Sequence, residues 1–348
     1  MPNSVNQAFN RLIRLVCALL AAVILLAQPV LAYDVLVGGQ SLGIVLKSEG
    51  AVVVGFTPVP QADGSEVYPA RDAGVQLEDR LVAINGQPVN YNQEVADLVN
   101  TLGGDEPLML TIKRGSEQLD LQATPAKSTE DEQYRLGLYI RDANAGIGTL
   151  TFYDPATGSY AALGHRIDEQ GESEGEVFGH VLAADVQYVE SSRQGEPGEK
   201  VGVFDNTHLN GSILLNCELG IYGKLDDEPQ NPLYPQPLTV AEADEVQTGP
   251  ATMLTVLEDE QIEEFAVEIE RITPQKHTAD KGMVIKVTDE RLLAKAGGIV
   301  QGMSGSPIIQ NGKLVGAVTH VFVNESSSGY ACFAEWMLAE AVNLPNNL

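Results

Sequence analysis

The chain is a succession of short apolar runs separated by turns that contain glycine or proline, and this pattern limits its fold more than any other feature. Its 348 residues include 34 Gly and 18 Pro, and 44% are hydrophobic. Runs of this length are typical of strands, whereas long amphipathic helical patterns are scarce. A chain of this length suits about two domains. We therefore expect a mainly β protein with enough apolar residues for proper cores.

The region 302–319 carries the strongest chemical signal. Residues 302–307 have the sequence Gly-Met-Ser-Gly-Ser-Pro and precede two apolar runs that are joined by a turn at 310–313. A turn of such small residues can hold Ser304 Oγ outward while the N–H groups of Gly302 and Ser304 converge on one point, as an oxyanion hole requires. Glycine and serine are also common in plain connections, so the turn alone does not identify a nucleophile.

A serine nucleophile needs a general base, and the sequence offers five histidines. His165 ends an apolar stretch that follows a turn at 154–158, which would place its imidazole at the end of a strand. The other four are weaker candidates for the base: His180, His208, His277 and His320. The sequence pattern therefore favours His165 as the base for Ser304.

Three segments resemble the peptidase domain of the stage IV sporulation protein B (SpoIVB) serine peptidase family. They are Gly-Thr-Leu-Thr-Phe-Tyr-Asp-Pro at 148–155, Leu-Gly-His at 163–165, and Gly-Gly-Ile-Val-Gln-Gly-Met-Ser-Gly-Ser-Pro-Ile-Ile at 297–309. The resemblance covers most of residues 35–345. It implies a chymotrypsin-like double β-barrel that acts as a serine endopeptidase without a cofactor, with Ser304 as nucleophile and His165 as general base. It also implies self-processing and cleavage of a membrane-associated regulatory protein in a sporulation signalling pathway.

The third member of a catalytic triad has two candidates. The resemblance points to Asp289, which lies 15 residues before Ser304. In chymotrypsin-like enzymes the orienting carboxylate usually lies in the long interval between base and nucleophile, a spacing that favours Asp205 as the reserve. Asp289 also precedes a plausible short helix at 290–296, where aspartate is a favoured N-cap. Both roles of Asp289 remain open at this point.

Residues 1–32 have the features of an export signal. Arg11 and Arg14 precede an apolar segment at 15–27, and Pro-Val-Leu-Ala at 29–32 has the small-residue ending of a signal peptidase site. The segment is a cleaved signal peptide or an uncleaved membrane anchor, and cleavage after Ala32 is favoured. Either alternative exports the remaining chain. The family resemblance implies an extracytoplasmic location between mother cell and forespore.

Residues 35–127 resemble a PDZ domain, most clearly in Leu-Val-Ala-Ile-Asn-Gly at 81–86. Such domains bind a peptide as an added strand at an exposed sheet edge. The predicted peptide-binding residues are Gln40, Ser41, Leu42, Gly43 and Ile44, with the apolar strand 51–56 as the alternative. The ligand would come from a substrate or from the chain's own N-terminal segment, unless the domain is only a spacer. Residues 128–138 would then be a linker and 139–348 the peptidase domain.

Composition and motifs exclude several other classes. The net charge of −27 disfavours nucleic-acid binding, which requires a basic surface. No Cys-x-x-Cys or His-Glu-x-x-His motif supports a metal site. Cys17 lies in the export segment, while Cys217 and Cys332 could pair or stay free.

The rival function is a PDZ adaptor whose peptidase-like barrel is not catalytic. The distance between Ser304 Oγ and His165 Nε2 distinguishes the two, because a base must lie within about 3 Å of its nucleophile.

Overall fold

The structure is a computed structural model that describes residues 33–46, 50–89, 91–142, 145–167, 179–193, 195–275 and 277–344. The export segment 1–32 lies outside the described residues, and so does Cys17. In the part of the chain that is described, no helix combines the length and apolar character needed to cross a membrane.

The described residues form 24 strands and four helices. The first twelve strands are β1 (Asp34–Val37), β2 (Ser41–Leu46), β3 (Ala51–Phe56), β4 (Val59–Pro60), β5 (Glu66–Val67), β6 (Arg80–Ile84), β7 (Gln87–Pro88), β8 (Leu108–Arg114), β9 (Glu117–Ala123), β10 (Ala126–Lys127), β11 (Tyr134–Arg135) and β12 (Leu138–Asp142). The second twelve are β13 (Ala145–Asp154), β14 (Ser159–Ala162), β15 (Gly179–Glu190), β16 (Glu199–Cys217), β17 (Gly220–Leu225), β18 (Leu238–Thr239), β19 (Gly249–Val256), β20 (Ile262–Ile272), β21 (Met283–Val287), β22 (Pro307–Gln310), β23 (Lys313–Phe322) and β24 (Glu325–Phe333). The helices are α1 (Pro69–Asp72), α2 (Asn92–Leu102), α3 (Glu290–Ala296) and α4 (Ala334–Val342).

The first barrel is an antiparallel ring of six strands. Its order is β13, β14, β17, β16, β15 and β2, and β2 closes the ring by pairing with β13. Strand β1 adds to β13, and β18 adds to β1. The interior is filled by large apolar side chains, which include Leu42, Leu150, Tyr160, Val181 and Ile221.

The second barrel closes in the order β19, β20, β21, β24, β23 and β22. Strand β20 shows how its sequence produces this arrangement, because buried and exposed residues alternate and send Phe265, Val267 and Ile269 into the core. Helix α3 follows β21 and ends at Gly297, whose φ of 74° is a left-handed C-cap. Helix α4 follows β24 and packs Trp336 edge-on against Phe333.

A third folded region is inserted into the first barrel. Its sheet has the order β12, β3, β6, β8 and β9, and α2 contributes Val95 and Val99 to its core. In the chain it lies between β2 and β13, which are paired neighbours in the barrel with Val45 opposite Ala145. Strands β3 and β12 are also paired, with Ala51 opposite Asp142. The inserted domain is therefore the outer end of a barrel hairpin.

This topology corrects the predicted domain boundaries. The segment assigned to the start of a PDZ domain at residue 35 forms β1 and β2 of the first barrel. The predicted linker 128–138 belongs to the inserted domain, because Leu136 is buried in its core and β11 pairs with β10. The prediction followed order along the chain. An insertion separates strands that are neighbours in space, and periodicity alone does not show such pairing.

Candidate active site

Ser304 lies in a tight loop that leads into β22. Gly302 and Gly305 adopt φ values of 92° and 91°, a left-handed conformation that favours glycine. The loop is fixed to the first barrel by Thr149, whose N–H donates to the Ser304 carbonyl at 2.9 Å and whose Oγ1 donates to the Gly302 carbonyl at 2.8 Å. Thr151 Oγ1 donates to the Gly305 carbonyl at 2.7 Å. Strand β13 thus holds the serine loop in place.

His165 reaches the same point from the first barrel. Strand β14 is followed by two residues in the left-handed conformation, Leu163 and Gly164, which turn the chain toward the serine loop. His165 Nε2 lies 3.0 Å from Ser304 Oγ, and its Nδ1 lies 2.8 Å from the Arg166 carbonyl oxygen. A carbonyl only accepts, so Nδ1 carries the proton in the neutral ring. The Nε2 lone pair then faces the serine hydroxyl, which is the orientation of a general base.

The backbone of β23 also contacts the serine. Ser304 Oγ lies 2.9 Å from the Thr319 carbonyl oxygen, which can accept the hydroxyl proton. The next residue, His320, places its ring centroid 4.7 Å from that of His165, and its Nδ1 lies 3.5 Å from Asp280 Oδ2. His320, one of the weaker candidates for the base, is therefore a neighbour of His165.

The predicted third triad member does not occupy the expected place. Asp289 is the N-cap of α3 and accepts from the Arg291 N–H at 2.9 Å. It also pairs with the Arg291 guanidinium and accepts from the Ala266 N–H. These bonds, chiefly that of Arg291, lower the pKa of Asp289 to about 2. The reserve, Asp205, lies in β16 opposite Ala183. The hydrogen bond at His165 Nδ1 is made by the Arg166 carbonyl, so the structure does not place either predicted aspartate at the triad position beside His165.

Two backbone N–H groups are available for a developing oxyanion. Within the described residues, the N–H groups of Gly302 and Ser304 donate to no other protein group. The peptide before Gly302 is held by a bond from the Lys200 N–H to the Gln301 carbonyl at 2.9 Å. The spacing Gly-x-Ser, which predicted these donors, places them on the two sides of Met303.

A cleft of about 440 Å³ opens beside these groups. Its walls are mainly apolar and come from both barrels and from the strands next to the insertion: Ile44, Ala145, Gly146, Ile147, Leu163, His165, Ile167, Gln301, Gly302 and Ser304. A peptide segment could lie here with a carbonyl carbon near Ser304 Oγ.

The predicted peptide-binding residues of the PDZ domain lie elsewhere. Gln40 precedes β2, and Ser41, Leu42, Gly43 and Ile44 belong to it. Strand β2 is paired on one edge with β13 and on the other with β15, so it cannot accept an added strand. The alternative, β3, is likewise paired on both edges, with β12 and β6. Both assignments are wrong.

The groove that suits a peptide lies between α2 and β12. It has a volume of about 320 Å³ and is lined by Val95, Ala96 and Val99 of the helix and by the segment 133–138. Strand β12 is at the edge of its sheet and pairs only with β3 among the described strands. Gly137 precedes the edge strand with a φ of 70°.

Cys217 and Cys332 do not form a disulfide, which decides between the alternatives left by the sequence. Cys332 is buried, and burial raises the pKa of its thiol to about 12. The thiolate is therefore disfavoured there, and Cys332 is a poor nucleophile.

Two six-stranded barrels with a serine and a histidine in contact between them define a serine peptidase of the chymotrypsin-like class. The family profile described as SpoIVB peptidase S55 matches residues 132–338, more than half of the 348 residues. The chain belongs to this family. A PDZ domain profile matches residues 63–114, within the inserted domain. The predicted family, fold class and enzyme class are confirmed.

Individual proteins give weaker similarities. The putative zinc metalloprotease Atu1380 of Agrobacterium fabrum is 28% identical over 130 residues, which cover 37% of this chain and 32% of that protein. The chain thus spans about a third of that relative. The Rv3671c protease of M. tuberculosis in its active form has 14% identity and a TM-score of 0.32, over 59% of this chain and 77% of that chain. Its inactive Ser343Ala mutant has 15% identity and a TM-score of 0.30, over 57% and 84%. These values are too low to bear on activity.

Proposed function

We propose that this serine peptidase is an exported endopeptidase that processes itself and cleaves a membrane-associated regulatory protein in a sporulation signalling pathway. The observation that carries its chemistry is the 3.0 Å contact between Ser304 Oγ and His165 Nε2. Membership of the SpoIVB peptidase S55 family supports the signalling role. The basic and apolar pattern of residues 1–32 supports export and an extracytoplasmic location.

The proposed reaction uses groups that are already in place. Ser304 Oγ attacks the scissile carbonyl carbon while its proton passes to His165 Nε2. The N–H groups of Gly302 and Ser304 stabilise the oxyanion of the tetrahedral intermediate. His165 then gives its proton to the leaving amine, and water hydrolyses the acyl-enzyme with the same histidine as base. The Arg166 carbonyl holds the Nδ1 proton throughout.

The PDZ groove would select the protein substrate. An extended peptide can add to the open edge of β12 while its side chains enter the space against α2. The peptide would come from the membrane-associated substrate or from the chain's own N-terminal segment. Binding there would supply affinity remote from Ser304, which peptidases can use to favour one protein over others.

The decisive experiment compares Ser304→Ala with Ser306→Ala in purified full-length protein. Ser304→Ala should lower peptide cleavage by roughly 10⁶ and abolish self-cleavage, because the nucleophilic oxygen is lost. Ser306 is the matched control, since its Oγ is buried and bonds no other described group. Mass spectrometry of the incubated proteins and labelling with a serine-directed phosphonate measure both activities.

The assignment of Ser304 as nucleophile and the proposed self-processing are contradicted by different results. Robust cleavage by Ser304→Ala would contradict the assignment of the nucleophile. If wild-type protein reacts with the phosphonate at Ser304 but never shortens its own chain, the peptidase chemistry would be supported and self-processing would be contradicted.

A further inference from the structure

Lys200 is a buried amine without a charged partner. Its relative exposure is 4%, and no carboxylate of the described residues pairs with it. Its Nζ lies 3.0 Å from Ser41 Oγ, 3.3 Å from Thr149 Oγ1 and 2.8 Å from Thr255 Oγ1. An ammonium has three donors and no acceptor, so the three hydroxyl oxygens match it. Burial nevertheless lowers the pKa of Lys200 to about 7. Such an amine is costly to bury, and hydrophobic cores rarely contain one.

The stem of Lys200 lies directly against the serine loop. A Cβ added at Gly302 would lie 3.0 Å from Lys200 Cδ and 3.1 Å from its Cβ and Cγ. Gly302 provides one of the two N–H groups assigned to the oxyanion. The main chain of Gly302 therefore packs against the methylene groups of Lys200. A residue with a side chain would clash with these groups at position 302.

The peptide group before Gly302 is oriented by the main chain of Lys200. The Lys200 N–H donates to the Gln301 carbonyl at 2.9 Å. In a trans peptide the C=O and the N–H point in opposite directions. Holding the Gln301 carbonyl toward β16 therefore turns the Gly302 N–H away from β16, where it can meet an oxyanion.

The peptide group after Gly302 is oriented by the side chain of Lys200. Thr149 Oγ1 lies between Lys200 Nζ and the Gly302 carbonyl, at 3.3 and 2.8 Å. Because the Gly302 carbonyl can only accept, the Thr149 hydroxyl gives its proton to that carbonyl and accepts a hydrogen bond from Lys200 Nζ. The relay from Nζ through Thr149 therefore has a fixed direction.

We propose that Lys200 is a positioning residue that holds both peptide groups of Gly302 in the orientation that oxyanion stabilisation requires. Its third bond, to Thr255 of β19, ties this support to the second barrel. The inference rests on the proposed chemistry at Ser304. In this proposal Lys200 acts through Gly302 and does not contact the substrate.

The test uses full-length protein and a serine-directed fluorophosphonate, whose phosphoryl oxygen takes the place of the oxyanion. Lys200→Met keeps an apolar stem and removes the amine. We expect the maximal rate of Ser304 labelling to fall about 100-fold, as when one oxyanion donor is lost. The probe concentration for half-maximal rate should change less than about threefold, because the cleft is untouched. Denaturant unfolding reports whether the fold persists.

Two further variants make the outcome specific. Thr149→Val removes the relay and leaves Lys200 in the chain, so the same loss of rate is expected. Lys224→Met is the matched lysine control, because Lys224 Nζ bonds the Thr157 carbonyl and Ser159 Oγ instead. It should label at the wild-type rate.

Each result decides the inference. Folded Lys200→Met and Thr149→Val that label within about threefold of the wild-type rate would overturn the role of Lys200 and leave the proposed function intact. Wild-type protein that does not react at Ser304 would overturn both. If Lys200→Met does not fold, the rate of folded Thr149→Val decides: a large loss supports the relay, and an unchanged rate removes it.

Discussion

The ring of His165 donates its Nδ1 proton to a neutral acceptor, the Arg166 carbonyl. This bond fixes the tautomer and the ring orientation, which are two of the tasks of a triad carboxylate. The third task, stabilisation of the imidazolium, is served less well, because bonds to charged acceptors are roughly twice as strong. The site is therefore a serine–histidine pair with backbone support.

Asp289 provides the residue-scale prediction. Asp289→Asn should leave the maximal rate of Ser304 labelling within a few-fold of wild type and lower the free energy of unfolding by about 0.2–1 kcal/mol, because asparagine still caps α3 but no longer forms an ion pair with the Arg291 guanidinium. The pKa of Asp289 is about 2 in the folded chain, below the ordinary aspartate value of 3.8. A depressed carboxyl pKa stabilises the fold above the unfolded value, and this contribution is lost as the pH falls from about 4 to 2.

Denaturant titrations at pH 7, 4 and 2 would measure this contribution, which should be absent from Asp289→Asn. Asp205→Asn serves as the parallel variant. A fall in the labelling rate by about 10⁴ in folded Asp289→Asn would return that residue to the catalytic site.

At this scale the sequence predicted part of the site. Ser304 and the two N–H donors follow from a short local motif, and His165 follows from a strand end next to a turn. The partner of His165 Nδ1 could not be predicted, since any residue can supply a carbonyl. The helix at 290–296, which was the alternative role of Asp289, is present as α3 with the same bounds.

At the scale of elements, pairing on both edges decides what a strand can bind. Strand β2 is occupied by β13 and β15, while β12 keeps one edge open beside α2. Alternation along a strand shows which face is buried but not which edge is free. The strands themselves were therefore predictable, and the location of the peptide groove was not.

Ala96 tests the groove. It lies on α2, lines the groove and is exposed, so Ala96→Trp should fill the space without disturbing the core. Affinity for selected peptides should fall at least about tenfold, equivalent to 1.4 kcal/mol. Peptides with free C termini would be selected on wild-type protein, and their dissociation constants measured by fluorescence anisotropy.

Asp97→Trp is the matched control, because Asp97 is the exposed neighbour that does not line the groove. Equal peptide affinity in wild type and Ala96→Trp would place the binding site elsewhere on the PDZ domain.

At the scale of the whole molecule, the insertion joins the PDZ domain to the cleft. Residues 34–348 form one compact unit. The chain enters the insertion after β2 and returns at β13, and Ile44 and Ala145 at these two crossings line the cleft beside Ser304. Order along the chain placed the PDZ domain before the peptidase. The pairing of β2 with β13 shows instead that the PDZ domain is inserted within the first barrel. No local pattern in the sequence shows this long-range pairing.

The insertion predicts how the PDZ domain can be removed. Replacing residues 47–144 by a turn that contains Asn-Gly should preserve the peptidase, because Val45 and Ala145 are already opposite each other in an antiparallel pair and such a turn closes a hairpin. The shortened protein should react with the fluorophosphonate at Ser304 and lose preference for its protein substrate, since the groove is gone. Deleting 35–127 should instead prevent folding, because it removes β1, β2 and Ser41 of the Lys200 site. Labelling rates and circular dichroism of the two proteins measure this difference. If the protein without residues 35–127 folds and reacts, the assignment of β2 to the barrel is contradicted. If the variant with the Asn-Gly turn folds but cannot be labelled, the PDZ domain helps to build the catalytic site.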